Sequence, residues 1–336
     1  MDFDGDGIRD LISGSYDPGA LYLFRGKGQG EFAAGEMILD KSGKPVLRVP
    51  DQKVEWESFG SWVTMVDWDA DGDLDLVVGG FGGEVFVRLN EGTRQAPAFA
   101  TSNMAVKLND EDLKVPGDHA TPVIADWDGD GQWDLLSGSA TGAVHWYRNV
   151  GQEGAPAFAD PVTLVPEHTG HGYGEFVDTG EEPPPGIRSQ IFVTDYNGDG
   201  KLDLLLGDFS TTVSPRTDLS ADERQAMLDI RTKLQELDAE LAVAREKFTT
   251  LLQEFMKQFP EETITSDEIQ EKIREKQKEL QEEEWFRSAL QPWQRLNTDL
   301  QQYLAKPAPS DWVRDMATPH GYVWLFLRTT ADKGDQ

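Results

Sequence analysis

The chain has 336 residues, and its 61 acidic against 31 basic side chains set a formal charge of −30. A field of that sign excludes nucleic acid and anionic membrane as main partners, because phosphate recognition needs the opposite charge. Cysteine is absent, which removes disulfide frameworks and thiolate zinc sites, and no apolar run reaches the roughly 18 residues of a membrane span.

In chain order, the first feature is an acidic segment, DFDGDGIRDLISG from Asp2. It returns as DWDADGDLDLVVGG from Asp67, DWDGDGQWDLLSG from Asp126 and DYNGDGKLDLLLG from Asp195, at offsets of 65, 59 and 69 residues. The first three copies lead through a glycine-bearing turn into an alternating strand: ALYLFR at 20–25, EVFVRL at 84–89 and AVHWYR at 143–148. Two copies continue into the same tail, APAFA, at 96–100 and 155–159. Another strand precedes the acidic segment at 62–66, 121–125 and 190–194. About four short strands per roughly 60 residues, repeated with the same loop, predict the blades of a β-propeller. The expected fold is therefore all-β, with four visible blades over residues 1–209 and the first one incomplete. Met1 is followed at once by acidic residues, and no strand precedes Asp2. The expectation is a fragment of a larger propeller whose other blades and export signal lie upstream.

Between residues 217 and 306 the composition changes to Ala, Glu, Gln, Lys, Arg and Leu. Apolar residues at Met227, Ile230, Leu234, Leu237, Leu241, Ala244, Phe248, Leu252, Phe255 and Phe259 alternate three and four apart, which predicts a helix with one apolar seam. Ser220 and Glu223 form a capping-box pattern at its start, and Pro260 ends it. A second helix is predicted over about 265–304, broken or kinked at Pro292. So short a connection forces an antiparallel helical hairpin. The aromatic strand missing after residue 208 resumes as YVWLFLR at 322–328. Residues 210–319 are accordingly read as an insertion into the fourth blade, with 320–336 as its last strand and tail. The hairpin offers a second surface for a protein partner.

Each acidic segment has the form D-x-[DN]-x-D-G-x-x-D. Hard cations need several oxygens converging from a short, sharply turned chain, and carboxylates at alternate positions supply them. The expected ligand sets are Asp2, Asp4, Asp6 and Asp10; Asp67, Asp69, Asp71 and Asp75; Asp126, Asp128, Asp130 and Asp134; and Asp195, Asn197, Asp199 and Asp203. Up to four Ca²⁺ ions are expected, one per loop, since magnesium usually keeps several waters rather than filling an all-protein cage. An EF-hand would require a glutamate at position 12, where this chain has Ser13, Val78, Ser137 and Leu206.

These four loops, the glycine after each, and strands such as residues 144–149 resemble the FG-GAP/VCBS repeats of integrin-α-type propellers. The resemblance implies calcium held in blade loops, an extracellular or periplasmic location, and a role in adhesion, ligand binding or scaffolding. The fourth loop departs from the pattern at Asn197, which keeps an oxygen but loses a charge, so weaker binding is expected there.

The reading this supports is a non-enzymatic binding module whose rim loops, at 109–118 and 166–188, meet a protein or carbohydrate ligand. The alternative is an extracellular carbohydrate-active enzyme, a lyase or hydrolase, or a non-catalytic module of one. No nucleophile elbow, His-Glu-x-x-His or phosphate loop occurs. His168 and His171 form the one close histidine pair, with Tyr173 and Glu175 nearby. The aromatics at loop position 2, namely Phe3, Trp68, Trp127 and Tyr196, are expected to pack between blades rather than to stack on sugars.

Overall fold

The computed structural model describes residues 1–47, 60–170, 172–178, 180–260, 264, 266–305 and 318–328. The chain forms two compact units. One comprises Met1–Glu175, Glu182–Thr212 and Pro319–Gln336; the other comprises Phe176–Glu181 and Val213–Thr318. Among the described residues no helix is long and apolar enough to cross a membrane.

The first unit is a succession of antiparallel sheets. Sheet one holds β1 (Leu11–Ser13), β2 (Tyr22–Phe24) and β3 (Glu36–Met37). Sheet two holds β4 (Ser61–Val66), β5 (Asp75–Gly80), β6 (Val85–Arg88) and β7 (Met104–Ala105), in that order. Sheet three repeats the plan with β8 (Thr121–Ala125), β9 (Asp134–Gly138), β10 (Val144–Tyr147) and β11 (Val162–Val165). Sheet four contains β12 (Ile187–Thr194), β13 (Asp203–Val213) and β14 (Val323–Phe326). β5, β6 and β9 are buried throughout. Their runs of Val, Leu and Phe suit a strand covered on both faces.

Each acidic loop closes a hairpin. Val66 pairs with Asp75, Ala125 with Asp134 and Thr194 with Asp203. Met1 makes an equivalent backbone contact with Asp10, whose N–H donates to the Met1 carbonyl at 2.5 Å.

Successive sheets pack through one apolar layer each. Phe3, Met65, Leu76 and Phe99 share a cluster; Trp68, Val77, Leu135 and Phe158 share the next; Trp127, Leu136, Leu204 and Leu206 share the third. The aromatic at loop position 2 thus enters an inter-sheet core in three loops, as expected, at 4, 6 and 8 % exposure. Tyr196, its fourth counterpart, is 61 % exposed.

The glycine that follows each acidic segment explains how closely the sheets approach. A Cβ on Gly14 would lie 1.9 Å from the Ser61 carbonyl oxygen, and on Gly79 it would lie 2.2 Å from that of Ala120. On Gly138 it would lie 2.2 Å from that of Ser189. Each glycine therefore receives the backbone of the next sheet's first strand. Gly207 receives none among the described residues: a Cβ there would meet only the Gln190 oxygen, at 3.6 Å.

The second unit is built mainly of three helices. α1 (Ala221–Met256) starts at a true capping box, with Ser220 Oγ accepting the Glu223 N–H and Glu223 Oε2 accepting the Ser220 N–H. It buries Met227, Leu234, Leu241 and Ala244. The returning arm is two helices, α2 (Asp267–Glu282) and α3 (Glu284–Leu300). The ring of Phe248 on α1 lies 5.1 Å from that of Phe286 on α3, and Trp293 Nε1 donates to Asp238 at 2.6 Å.

Two expectations are corrected here. The break in the second arm falls at Glu283, whose backbone is extended (φ −60°, ψ 137°), while Pro292 sits inside α3. Leu280 and Phe286 are buried but six residues apart. In a continuous helix they would point about 120° from one another, so a single non-helical residue restores the seam. Pro292 forfeits one hydrogen bond to the Ser288 carbonyl, but both residues are exposed, which leaves that carbonyl open to solvent. The inserted unit also begins later than residue 210, because β13 extends to Val213 before the chain leaves the sheet. The helix-start position Thr265 lies outside the described residues.

Candidate metal centres

In all four loops, the first aspartate organises the turn. Asp2 accepts the N–H groups of Gly5 and Gly7 at 2.8 and 3.1 Å, and Asp126 those of Gly129 and Gly131 at 2.8 and 3.0 Å. Asp195 accepts those of Gly198 and Gly200 at 2.7 and 2.9 Å. In the second loop Asp67 accepts those of Asp71 and Gly72, both at 3.1 Å. The carboxylate at position 5 accepts the position 7 N–H: Asp6 from Ile8, Asp71 from Asp73, Asp130 from Gln132 and Asp199 from Lys201. Positions 4 and 6 both adopt left-handed backbone, at φ values from 61° to 97°, and only position 4 of the second loop, Ala70, is not glycine. The need for glycine at position 6 was legible in the sequence; the same demand at position 4 emerges from the structure.

This winding brings carboxylates at positions 1, 3 and 5 together. The groups Asp2, Asp4 and Asp6; Asp67, Asp69 and Asp71; and Asp126, Asp128 and Asp130 each place ligand atoms within 4.8 Å of one another. In the fourth loop the Asn197 amide donates to Asp199 at 3.2 Å, filling with a hydrogen bond the place of a third carboxylate.

The ninth-position aspartates lie apart from these clusters. Asp10, Asp75, Asp134 and Asp203 are nearly or wholly buried, and each uses both oxygens as acceptors. One oxygen takes the N–H of loop position 2: Phe3 at 2.7 Å, Trp68 at 2.8 Å, Trp127 at 3.2 Å and Tyr196 at 3.0 Å. The other takes an N–H beyond a neighbouring strand: Gly26 at 2.8 Å, Asn90 at 2.7 Å, Asn149 at 2.7 Å and Arg328 at 2.8 Å. These residues staple the loop to its sheet.

The loops differ in what offsets their charge. Arg25 contacts Asp4 in the first. In the third, Arg148 reaches Asp128 at 2.6 Å and Asp130 at 3.0 Å. With the Gln132 N–H as the larger cause, Arg148 helps hold Asp130 below the usual carboxylate range. The second loop has no arginine contact among the described residues and adds a further acid, Asp73. Burial first, then Asp71, Asp69 and Asp67, push Asp73 up to about 6. Its Oδ1 is buried without a hydrogen-bond partner. Asp75 is likewise raised to about 6, chiefly by burial. Asp73 and the two arginines were not singled out from sequence. The alternating acids extend to Asp73, and the arginines close the 20–25 and 143–148 strands, but only the fold brings them to the loops.

The donors are carboxylate oxygens, with the Asn197 amide in the fourth loop, oxygen ligands of the kind a hard divalent cation takes. The residues present fit calcium, with the carboxylates at positions 1, 3 and 5 as the converging oxygens. The histidine pair offers no comparable centre. His168 Nε2 meets Glu175 at 2.6 Å and its Nδ1 meets the Pro185 carbonyl at 2.9 Å, so both ring nitrogens are engaged. His171 lies outside the described residues.

A family model described as an FG-GAP-like repeat matches residues 2–78, 67–137 and 126–206. Each match runs from one acidic loop into the next, so the overlaps fall on the loops at 67–78 and 126–137. No curated protein matches the chain.

Proposed function

Because the chain belongs to the FG-GAP-like repeat family, we propose that it is a calcium-binding repeat module whose work is binding, adhesion or scaffolding rather than catalysis. The observation that carries this reading is the threefold convergence of position 1, 3 and 5 carboxylates within 4.8 Å. Three like charges at that distance repel strongly, and a bound divalent cation turns the repulsion into attraction. In the second loop the charges of Asp71, Asp69 and Asp67 add to burial in raising Asp73 toward 6, the mutual repulsion that a cation would relieve. Calcium's role in this reading is structural: it locks each hairpin and the sheet edge attached to it.

The four sheets are, in the same proposal, consecutive blades of a β-propeller. The recurring glycine contact and the recurring buried aromatic support it, since both place each sheet against the next in the same way. Loops of this kind in extracellular modules bind calcium at about 10⁻⁴–10⁻³ M, which fits a protein working outside the cytoplasm. Isothermal calorimetry against calcium tests the reading. Several sites per chain in that affinity range are expected, with magnesium weaker; heats no larger than buffer dilution would overturn it.

A further inference from the structure

A cavity of about 300 Å³ opens in the first unit at the start of β4, β8 and β12, whereas the acidic loops leave from the other end of those strands. Its wall is aromatic. The Trp62 and His119 rings stack at 5.8 Å, Phe81 meets His119 edge-on at 4.0 Å, and Tyr16 meets Phe81 at 5.7 Å. Burial, then the nearby Arg188 charge, holds His119 below its usual range, so its ring faces the cavity as a neutral surface.

The backbone at the rim carries an unusual expense. The residue seven before the loop's first aspartate is left-handed at or just before the start of β4, β8 and β12: Gly60 at φ 68°, His119 at φ 49° and Arg188 at φ 58°. Glycine adopts this conformation freely, whereas a bulky side chain does so against steric strain. In two of three repeats the strained choice is present, and both strained residues line the cavity. Strain retained at a rim residue points to a job for its side chain.

The polar groups define that job. Arg188 has no carboxylate partner among the described residues, although acids outnumber bases 61 to 31. Its Nη2 donates to the Tyr173 hydroxyl at 3.0 Å and its guanidinium lies 5.5 Å from the Phe209 ring centre, and its other guanidinium N–H groups make no hydrogen bond among the described residues. Trp62 Nε1 and the Gln190 amide, also on the wall, make no hydrogen bond among the described residues, and Ser15 Oγ is buried without a partner.

The geometry points to a binding site for a carboxylated sugar, a hexuronate residue, with its apolar ring face on the aromatic wall and its carboxylate on Arg188. The guanidinium pairs with a carboxylate in bidentate fashion. Trp62 Nε1 and Gln190 meet ring hydroxyls that a purely aromatic acid would lack. The volume suits a single ring, at the low end of ligand cavities. This site does not depend on the calcium reading and occupies the opposite end of the sheets.

The test is a calorimetric or NMR titration of the full chain with an oligohexuronate, a matched neutral oligosaccharide and benzoate. The expected result is binding of the hexuronate alone, weakened about tenfold or more in Arg188→Gly. Arg188→Gly also relieves the left-handed strain, so its melting temperature is expected not to fall, which separates lost binding from lost folding. Arg188→Lys, keeping the charge without the fork, is expected to weaken binding as well. No binding by the native chain, equal binding of the neutral sugar, or preference for benzoate would overturn the assignment. So would hexuronate binding that survives in Arg188→Gly, which would place the sugar on calcium at the acidic loops.

Discussion

Asp134 accepts the backbone N–H of Asn149, fifteen residues further on, at 2.7 Å, and its other oxygen takes the N–H of Trp127. Since Asp134 is fully buried, neither donor has water to turn to. Asp134→Asn sets an amide NH₂ against one of the two N–H groups, and a buried donor without an acceptor costs about 1–3 kcal/mol. Urea unfolding in chelator is expected to show that loss; an unchanged midpoint would mean the staple carries no load.

The glycines make a second, internally controlled test. Gly138→Ala forces a Cβ to within 2.2 Å of the Ser189 oxygen and 2.6 Å of Thr121 Oγ1, and overpacking of this kind costs about 1–3 kcal/mol. Gly207→Ala meets only an oxygen at 3.6 Å, so a change within about 0.5 kcal/mol is expected. Equal destabilisation by the two would show that a further sheet occupies the Gly207 face in solution.

The pH dependence follows from Asp73 and Asp75. Both are raised to about 6, above the roughly 3.9 of an unfolded aspartate, so the metal-free folded chain binds protons more readily than the unfolded one. Their contribution without metal is greatest below about pH 4 and is lost as pH rises through 6. Calcium needs the deprotonated forms, which reverses the sign. The stabilisation by calcium is therefore expected to be larger at about pH 7.5 than at about pH 5. Thermal melts at the two pH values check this, and a calcium effect that grows on acidification would contradict it.

Arg148 competes with an ion for the third loop through its contacts with Asp128 and Asp130. It is about half exposed, so the contest is worth little: Arg148→Ala is expected to tighten calcium at that loop by about two- to fivefold. Calorimetry on the variant reads it directly. A weaker third site would mean that the arginine helps to hold the ion.

Much of this architecture was legible because the chain states it four times. Recurrence placed the strands, the converging Asp67, Asp69 and Asp71, and the aromatics that bury at Phe3, Trp68 and Trp127. A repeat says what copies share and is silent on what surrounds each copy. The exposure of Tyr196 depends on a neighbouring sheet, and the staple role of Asp134 on an N–H fifteen residues away. Helical periodicity showed the seam on α1 but not the break at Glu283, since a phase error between Leu280 and Phe286 is settled only when both pack on one partner. The cavity was illegible for a similar reason: Tyr16, Trp62, His119 and Arg188 are widely separated in the chain and meet only where β4, β8 and β12 begin.

The most direct test of the central claim is the melting temperature in about 2 mM calcium against the same protein in chelator. With dissociation constants of about 10⁻⁴–10⁻³ M, each occupied loop adds about 0.6–1.8 kcal/mol. A clear upward shift is therefore expected, reduced in a variant carrying Asp69→Asn and Asp71→Asn. Coincident melts with and without calcium would contradict the assignment of the acidic loops as calcium sites.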